Sequence, residues 1–372
     1  MIGTIARAVF FVLLPAIGVG GALGLPILLC LAGLVSLRPS LLRQAVESRP
    51  WSLLLLIFFL ALAVASSLWS EHAAGAQALK VGALAALGLV FAAAAAQAPR
   101  LTRAGAIAAF TVLAALLAIE ALGRLPLNLA AQPGGDFDEL TRNVSRGASL
   151  LLVMTFATAG ALLARQGVSW KAATLAALAA GGFISLQFGQ FANAVGFAVG
   201  LGLFVAAYAL PRLTLIAVFA GLLLWLVAAP FATPLLASAV SAETLPFSWN
   251  ARVEIWTYVS ERIWEQPWIG HGLDAARAHL PEIPVHPHSA SLQIWFELGI
   301  VGVLLAAAVL ISGARDLVRR FAENRPAAAA AAGTLGAFGV VANLSFNLWA
   351  EWWLAAMFLA AGIVGALARA PR

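Results

Sequence analysis

The stretch that decides the fold is residues 51–69, WSLLLLIFFLALAVASSLW. It carries no charge and approaches the roughly 20 apolar residues that an α-helix needs to cross the hydrocarbon core of a bilayer. Residues 53–68 also lack the alternation of apolar and polar side chains that a membrane β-strand requires. Similar stretches make up almost the whole chain, which is 62% hydrophobic and only 10% charged. We therefore predict an all-α integral membrane protein.

Breaks at Gly, Pro and charge clusters divide the chain into about twelve predicted transmembrane helices. They cover residues 5–19, 22–37, 51–69, 75–97, 102–123, 147–164, 169–185, 188–209, 212–230, 289–312, 327–347 and 349–368. The segment 18–26 is compatible with a turn between two helices or with a kink in one long helix. The first apolar run exceeds signal-peptide length without a cleavage site, so we interpret it as a span. No internal repeat is evident, and residues 1–372 are predicted to form one polytopic domain.

The positions of the basic residues predict the orientation in the membrane. With the N-terminus inside, 15 of the 22 Lys and Arg residues fall at cytoplasmic ends of spans, as the positive-inside rule expects. These are Arg7, Arg38, Arg43, Arg49, Arg100, Arg103, Arg165, Lys171, Arg212, Arg315, Arg319, Arg320, Arg325, Arg369 and Arg372. The net charge of +6 does not indicate nucleic-acid binding, because the basic residues are scattered through apolar sequence. Both termini are predicted to be cytoplasmic.

Two predicted outer loops are longer than a turn, residues 124–146 and residues 231–288, the second lying between spans 9 and 10. Long loops are where function is usually found. Within the second loop, one face of a predicted amphipathic helix near 249–266 carries Trp249, Arg252, Trp256, Val259 and Ile263. Such a stripe is typical of a helix that lies on the membrane surface.

The outer loops also contain basic residues that oppose the positive-inside trend, namely Arg142, Arg146, Arg252, Arg262 and Arg277. Each either pairs with a nearby acid or binds an anion. The available pairs are Arg252 with Glu254 or Glu243, Arg262 with Glu265, and Arg142 with Asp138 or Glu139. Pairing is the favoured interpretation for Arg262 and is balanced for Arg142. Two or three converging guanidinium groups would match the oxygens of a lipid diphosphate.

His288 directly precedes the predicted span that starts at residue 289, so it lies at a helix N-terminus. The helix dipole there disfavours imidazolium and favours the neutral ring, which can accept a proton. The alternative is an interfacial histidine without a chemical role. A metal bound by His286 and His288 is disfavoured because Pro287 intervenes and no acid is adjacent, and the single cysteine, Cys30, excludes a Cys-based site. The predictions therefore include neither a metal nor another cofactor.

Here the sequence resembles a known family. His288 and Ser289, followed by nine residues and then by Gly299 and Gly302, fit the H-[NSQ]-x9-G-x-x-G signature of bacterial O-antigen ligases, within the wider ligase and polymerase superfamily. The stretches RVEIW from Arg252, PWIGHGLDAAR ending at Arg277 and SRGASLLL containing Arg146 are similar to those of alphaproteobacterial members.

The resemblance implies a GT-C-like, metal-independent, inverting glycosyltransferase of the periplasmic face of the inner membrane. It implies transfer of a glycan from undecaprenyl diphosphate to a sugar hydroxyl of lipid A-core, in contact with membrane lipids and without a partner protein or nucleic acid. By the same resemblance His288 is the general base, and Arg146, Arg252 and Arg277 hold the diphosphate. Secondary candidates are Arg142, His286, Ser289, Gln293 and Glu351.

Three alternatives stay open at this stage. A polysaccharide or O-antigen polymerase of the same superfamily uses the same donor, and a protein O-oligosaccharyltransferase differs from a ligase in its acceptor. A lipid or sugar transporter belongs to another class, and twelve spans would suit it. Transporters tend to have repeated halves and charges near the midplane, whereas the candidate charges of this chain gather at one face.

Overall fold

The computed structural model describes residues 2–48, 50–165, 167–239 and 247–368. Arg49, Glu243, Arg369 and Arg372, named above, lie outside these ranges. The α-helices within them are α1 Ile2–Val19, α2 Leu25–Ser36, α3 Pro39–Ser48, α4 Pro50–Ala65, α5 Gly75–Gln97, α6 Pro99–Gly123, α7 Pro126–Ala131, α8 Phe137–Leu163, α9 Val168–Ser185, α10 Phe191–Ala209, α11 Pro211–Ala239, α12 Phe247–Arg262, α13 Ala290–Phe321, α14 Arg325–Leu344 and α15 Glu351–Leu367. No β-strand occurs in the described ranges, so the prediction of an all-α fold is confirmed.

Each of the twelve predicted spans coincides with one of these helices. Ten helices of the described chain are long and apolar enough to cross a membrane. The other two, α2 and α15, are shorter apolar helices at two predicted positions. The chain is therefore a multi-pass membrane protein.

The segment between the first two helices is a turn rather than a kink. Gly21 and Ala22 both have positive φ values, of 101° and 60°, which end α1 and reverse the chain. The two helices then run antiparallel, since Nη1 of Arg7 on α1 donates a hydrogen bond to Oγ of Ser36 at the end of α2, over 3.0 Å. The first of the two open interpretations is thus confirmed.

The prediction that residues 124–146 form a loop is wrong over most of its length. Helix α7 and the first part of α8 occupy it. Helix α8 begins early because Oδ1 of Asp136 caps it, accepting a hydrogen bond from the amide of Glu139 over 2.8 Å. Asp138 and Glu139 in the first turn also complement the helix dipole. Hydropathy alone misses such a polar extension of an apolar helix.

Helix α12 confirms that a helix exists near residues 249–266, but its stripe contacts protein. Trp256, Val259 and Ile263 are 8%, 0% and 1% exposed. Nε1 of Trp256 donates a hydrogen bond to the carbonyl of Pro287 over 2.9 Å. These apolar side chains therefore complete the protein core next to the candidate active site.

Helix α8 lies at the centre of the bundle and is buried along most of its length. It packs closely on α14, where Gly160 lies against Ala330. Residues 327–332 of α14 are all alanine and all buried. Small residues allow two helix backbones to approach closely in a membrane, where apolar burial between helices contributes little. This contact holds the N-terminal half of α14 against α8, and the opposite end of α14 carries the candidate site.

The bundle has two chemically different ends. At the first, which we call the arginine end, Arg103 donates to the carbonyl of Ala366 over 2.9 Å and Asn324 donates to the carbonyl of Leu367 over 3.1 Å. At the second, the histidine end, lie all five histidines, His72, His271, His279, His286 and His288. The two hydrogen bonds place the start of α6 and the connection between α13 and α14 at the C-terminal end of α15, as the span prediction requires.

Candidate active site

The site is organised by the C-terminal end of α14. The last carbonyls of a helix have no partner within the helix and accept hydrogen bonds from elsewhere. The carbonyl of Leu344 accepts a bond of 3.0 Å from Nε of Arg252 on α12. The next carbonyl, that of Ser345, accepts a bond of 2.6 Å from Nδ1 of His288. Consecutive backbone groups therefore hold a guanidinium group and an imidazole side by side.

The contact with Ser345 fixes the tautomer of His288. A carbonyl oxygen can only accept, so Nδ1 of the ring carries the hydrogen and Nε2 keeps its lone pair. Burial lowers the pKa of His288 from its ordinary value of 6.5, and the charge of Arg252 lowers it further, against the opposing effect of the Ser345 hydrogen bond. The ring is therefore neutral at pH 7, with Nε2 able to accept a proton. Burial is the main cause of the lowered pKa.

His286 contacts His288 and helps to hold its backbone in place. Its ring centroid lies 4.0 Å from that of His288, and its Nδ1 accepts a hydrogen bond of 3.1 Å from the backbone amide of His288. Burial holds the pKa of His286 well below 6.5, and the charges of His288, Arg277 and Arg252 add to the effect. His286 is thus a neutral residue that stabilises the turn at His288, whose φ is +55°. The charge of Arg252 lowers the pKa of both rings, and that of Arg277 lowers the pKa of His286.

Arg277 lies at the exposed edge of the site. Its Nε donates a hydrogen bond of 2.7 Å to Oδ2 of Asp274, in an ion pair with 46% of the arginine side chain exposed and 7% of the aspartate. Oδ1 of Asp274 accepts from Nδ2 of Asn347 over 3.4 Å. The aspartate therefore orients the guanidinium group and tethers it to the segment that follows α14.

Arg146 approaches from α8. Its Nη1 donates to Oδ1 of Asn143 over 2.6 Å. The adjacent Ser145 leads back to the histidine: Nε2 of Gln190 donates to Oγ of Ser145 over 3.3 Å, and Oγ of Ser345 donates to Oε1 of Gln190 over 3.5 Å. A chain of polar contacts thus joins the turn of α8 that carries Arg146 to the residue that holds His288.

Sequence reasoning did not assign Ser345 or Gln190 a place in the site. Ser345 acts on His288 through its backbone carbonyl, which no side-chain pattern reveals. Gln190 is a polar residue in an apolar stretch, a pattern that hydrogen bonding between helices also explains. That polarity was the available signal, and it was not specific.

The secondary candidates Ser289 and Gln293 have structural contacts. Ser289 is the N-cap of α13: its Oγ accepts from the amide of Leu292 over 3.4 Å and donates to Oδ1 of Asn343 over 3.3 Å. Gln293 is fully buried, with Nε2 donating to Oε1 of Glu297 over 2.9 Å. These bonds fix the start of α13 and thereby the turn at His288.

The two remaining secondary candidates lie farther toward the solvent. Glu351 accepts from Nζ of Lys80 over 3.1 Å, in an ion pair that joins α15 to α5. Arg142 is exposed on α8, one helical turn before Arg146. Of the acid pairs expected for the outer arginines, the pair of Arg262 with Glu265 is confirmed at 2.6 Å.

The first glycine of the sequence signature breaks α13. Gly299 has φ +58° inside the helix, and a Cβ atom at this position would lie 2.5 Å from the backbone of Trp268. The break lets a neighbouring segment bond to α13: the amide of Ile300 donates to the carbonyl of Pro267 over 2.8 Å, and that of Gly272 donates to the carbonyl of Glu297 over 2.9 Å. This glycine therefore docks the segment that leads to Asp274 and Arg277.

The profile of the O-antigen ligase family matches residues 189–307, a segment that includes Arg252, Arg277, His286 and His288. Arg146 lies outside it.

The similar proteins are named as polysaccharide ligases. Those of Rickettsia conorii and Rickettsia typhi are each 26% identical to the chain, over 44% of the chain and 44% of the relative. The relative from Rickettsia bellii is 25% identical over 28% of each. The alignments thus span less than half the length of the relatives. The profile match and these relatives confirm that the chain resembles the O-antigen ligase family, as the signature indicates, over the segments that they cover.

Proposed function

We propose that the chain is an O-antigen ligase that transfers a glycan from undecaprenyl diphosphate to a sugar hydroxyl of lipid A-core. The observation that carries the proposal is that consecutive carbonyls of the α14 terminus hold Nε of Arg252 and Nδ1 of His288, which leaves the lone pair on Nε2 of His288 to accept a proton. A base and a cation held this close suit a reaction in which a hydroxyl loses a proton while an anion departs.

The proposed reaction is a single displacement. Nε2 of His288 accepts the proton of the acceptor hydroxyl as its oxygen attacks the anomeric carbon of the donor sugar. The bond from that carbon to the diphosphate oxygen breaks, and its electron pair leaves with undecaprenyl diphosphate. Attack from the face opposite to the leaving group inverts the anomeric configuration.

The arginines are proposed to stabilise the negative charge that develops on the leaving group. Arg252 is half-buried, and burial lowers its pKa, so an anion at this place meets a poorly hydrated guanidinium group. Such groups bind phosphate oxygens through two parallel hydrogen bonds. Arg277, oriented by Asp274, and Arg146, on α8, are proposed to complete the diphosphate site. Because the diphosphate donor is already activated, the reaction needs no metal, nucleotide or other cofactor.

The proposed location is the inner membrane, with the histidine end facing the periplasm. The support is the concentration of basic residues at the opposite end, since Lys and Arg mark cytoplasmic segments. Both termini are then cytoplasmic, and residues 231–288, in the single polytopic domain proposed for 1–372, are periplasmic. Donor and acceptor both reach this face as lipids.

The proposal is tested by lipopolysaccharide banding in a ligase-deleted host that produces the chain. The wild type and a His72→Gln control, which changes a histidine outside the site, should restore the glycan ladder. A His288→Asn variant at equal protein level should leave core lipid alone. If the wild type leaves the core lipid without glycan in its native host as well, while longer lipid-linked glycan forms, the polymerase is the better assignment. Glycan attached to a protein would favour the oligosaccharyltransferase.

A further inference from the structure

A second cluster of ionisable groups lies at the histidine end and contains none of the residues assigned to the reaction. Oε1 of Glu71, in the turn between α4 and α5, lies 2.5 Å from Nδ1 of His271. Its other oxygen, Oε2, lies 2.8 Å from Nε2 of His279. His271 is 2% exposed, whereas the side chain of Glu71 is 35% exposed. The three ligating groups therefore meet at a place that solvent reaches from one side.

The opposite nitrogen of each ring faces a hydrogen-bond acceptor. Nε2 of His271 lies 3.2 Å from the carbonyl of Arg262, and Nδ1 of His279 lies 3.1 Å from the hydroxyl of Tyr258. A histidine that ligates a metal almost always donates its other ring N–H to such a group, which fixes the tautomer and the ring orientation. Both rings of the cluster are thus oriented as metal ligands would be.

We propose that Glu71, His271 and His279 bind a divalent transition-metal ion of the Zn²⁺ type. Two imidazoles and one carboxylate form a common zinc ligand set, with water in the fourth position. The ion would replace the hydrogens that now lie between the rings and the carboxylate, and those protons would be released to solvent. Tetrahedral bonds of about 2.0 Å require ligand atoms roughly 3.3 Å apart. The oxygens of Glu71 now lie 2.5 and 2.8 Å from the histidine nitrogens, so shifts of under about 1 Å, chiefly of the partly exposed Glu71, would give the spacing that the ion requires.

The ion would hold two segments of the chain together. The cluster joins the turn at residues 69–71 to the segment at 270–273, where Nε1 of Trp69 donates to the carbonyl of Gly270 over 3.2 Å and Oγ of Ser70 donates to that of Leu273 over 2.7 Å. Asp274, which orients Arg277, follows directly. The ion would therefore stabilise the wall of the candidate site that carries Arg277. The inference does not depend on the proposed function, since it concerns binding of an ion and not turnover.

The test is Zn²⁺ titration of the purified full chain after chelator treatment, against a chromophoric competitor and with metal content measured per chain. The wild type and His72→Gln, a neighbouring histidine outside the cluster, should each bind one ion. Glu71→Gln and His279→Asn should lose it. Tyr258→Phe keeps all three ligands but removes the acceptor for His279, and should weaken binding about 10- to 100-fold. Zn²⁺ should raise the unfolding temperature of the wild type and not that of Glu71→Gln.

Two results would overturn the inference. One is the absence of saturable binding by the wild-type chain. The other is unchanged affinity in Glu71→Gln and Tyr258→Phe with loss of the ion in His286→Gln, which would locate the metal at the His286 and His288 pair. Variants are compared as monodisperse protein. If a ligand variant does not fold, the affinity of Tyr258→Phe decides whether the ion binds at Glu71, His271 and His279.

Discussion

Replacement of His288 by asparagine separates its chemistry from its contribution to the fold. The residue has φ +55°, a conformation that costs an alanine about 1–2 kcal/mol, whereas asparagine adopts it far more readily. Alanine would therefore mix backbone strain with loss of the base. His288→Asn removes Nε2, the proposed proton acceptor, and leaves the neighbouring caps of α13 in place.

The expected loss follows from the role of the group. A positioned general base contributes about 10²- to 10⁴-fold to the rate, which corresponds to about 3 to 5 kcal/mol of activation free energy. We expect His288→Asn to lower the rate of glycan transfer at saturating donor by that factor. The unfolding temperature in detergent should stay close to that of the wild type.

The assay is the initial rate of product formation from lipid-linked glycan, with unfolding followed on the same preparations. His72→Gln is the matched control and should have the wild-type rate. If His288→Asn is folded and its rate stays within about threefold of the wild type, far short of what a general base supplies, the assignment of His288 as the base is refuted.

Three further predictions concern the site and its support. Since the folded-state pKa of His288 lies below 6.5 and the neutral ring is the active form, the rate should fall only as the pH drops below 6.5. Arg252→Gln should move this acidic fall in rate to higher pH and lower the rate about 10²- to 10³-fold. An acidic fall at the same pH in both proteins would contradict the effect of the Arg252 charge on His288. Gly299→Ala should destabilise the chain by at least about 1–3 kcal/mol in reversible unfolding, whereas Gly221→Ala, in open helical space, should not; equal stability of the two would refute the helix-break argument. Transfer should continue in excess chelator at temperatures where the chain stays folded, and a strict need for added metal in the reaction would refute the proposed mechanism.

The apolar runs predicted the helices well, because a span of about 20 apolar residues has few alternatives in a bilayer. Two details of these helices could not be predicted from the sequence. The start of α8 depends on the cap at Asp136, which precedes the apolar run by ten residues or more. The break in α13 depends on a backbone segment that docks against Gly299 from outside the helix. Contacts of this kind come from tertiary packing and leave little trace in hydropathy.

The candidate site was predictable where a side chain carries the signal. The signature named His288, and the basic residues on the outer side singled out Arg252 and Arg277. The carbonyl that fixes the tautomer belongs to Ser345, 57 residues away, and has no sequence signal of its own. Glu71 was missed because it lies 200 residues before His271. Such partners are brought together only when the helices pack.

The proposed activity of the chain is transfer of a lipid-linked glycan onto lipid A-core. The most direct measurement uses the purified chain, undecaprenyl-diphosphate-linked glycan and lipid A-core in detergent, and follows both glycan-bearing core and released undecaprenyl diphosphate. We expect equal amounts of the two products, with an inverted anomeric linkage and no reaction by His288→Asn. Glycan elongated on the donor lipid with the core left unmodified, or release of diphosphate that is independent of His288, would contradict it.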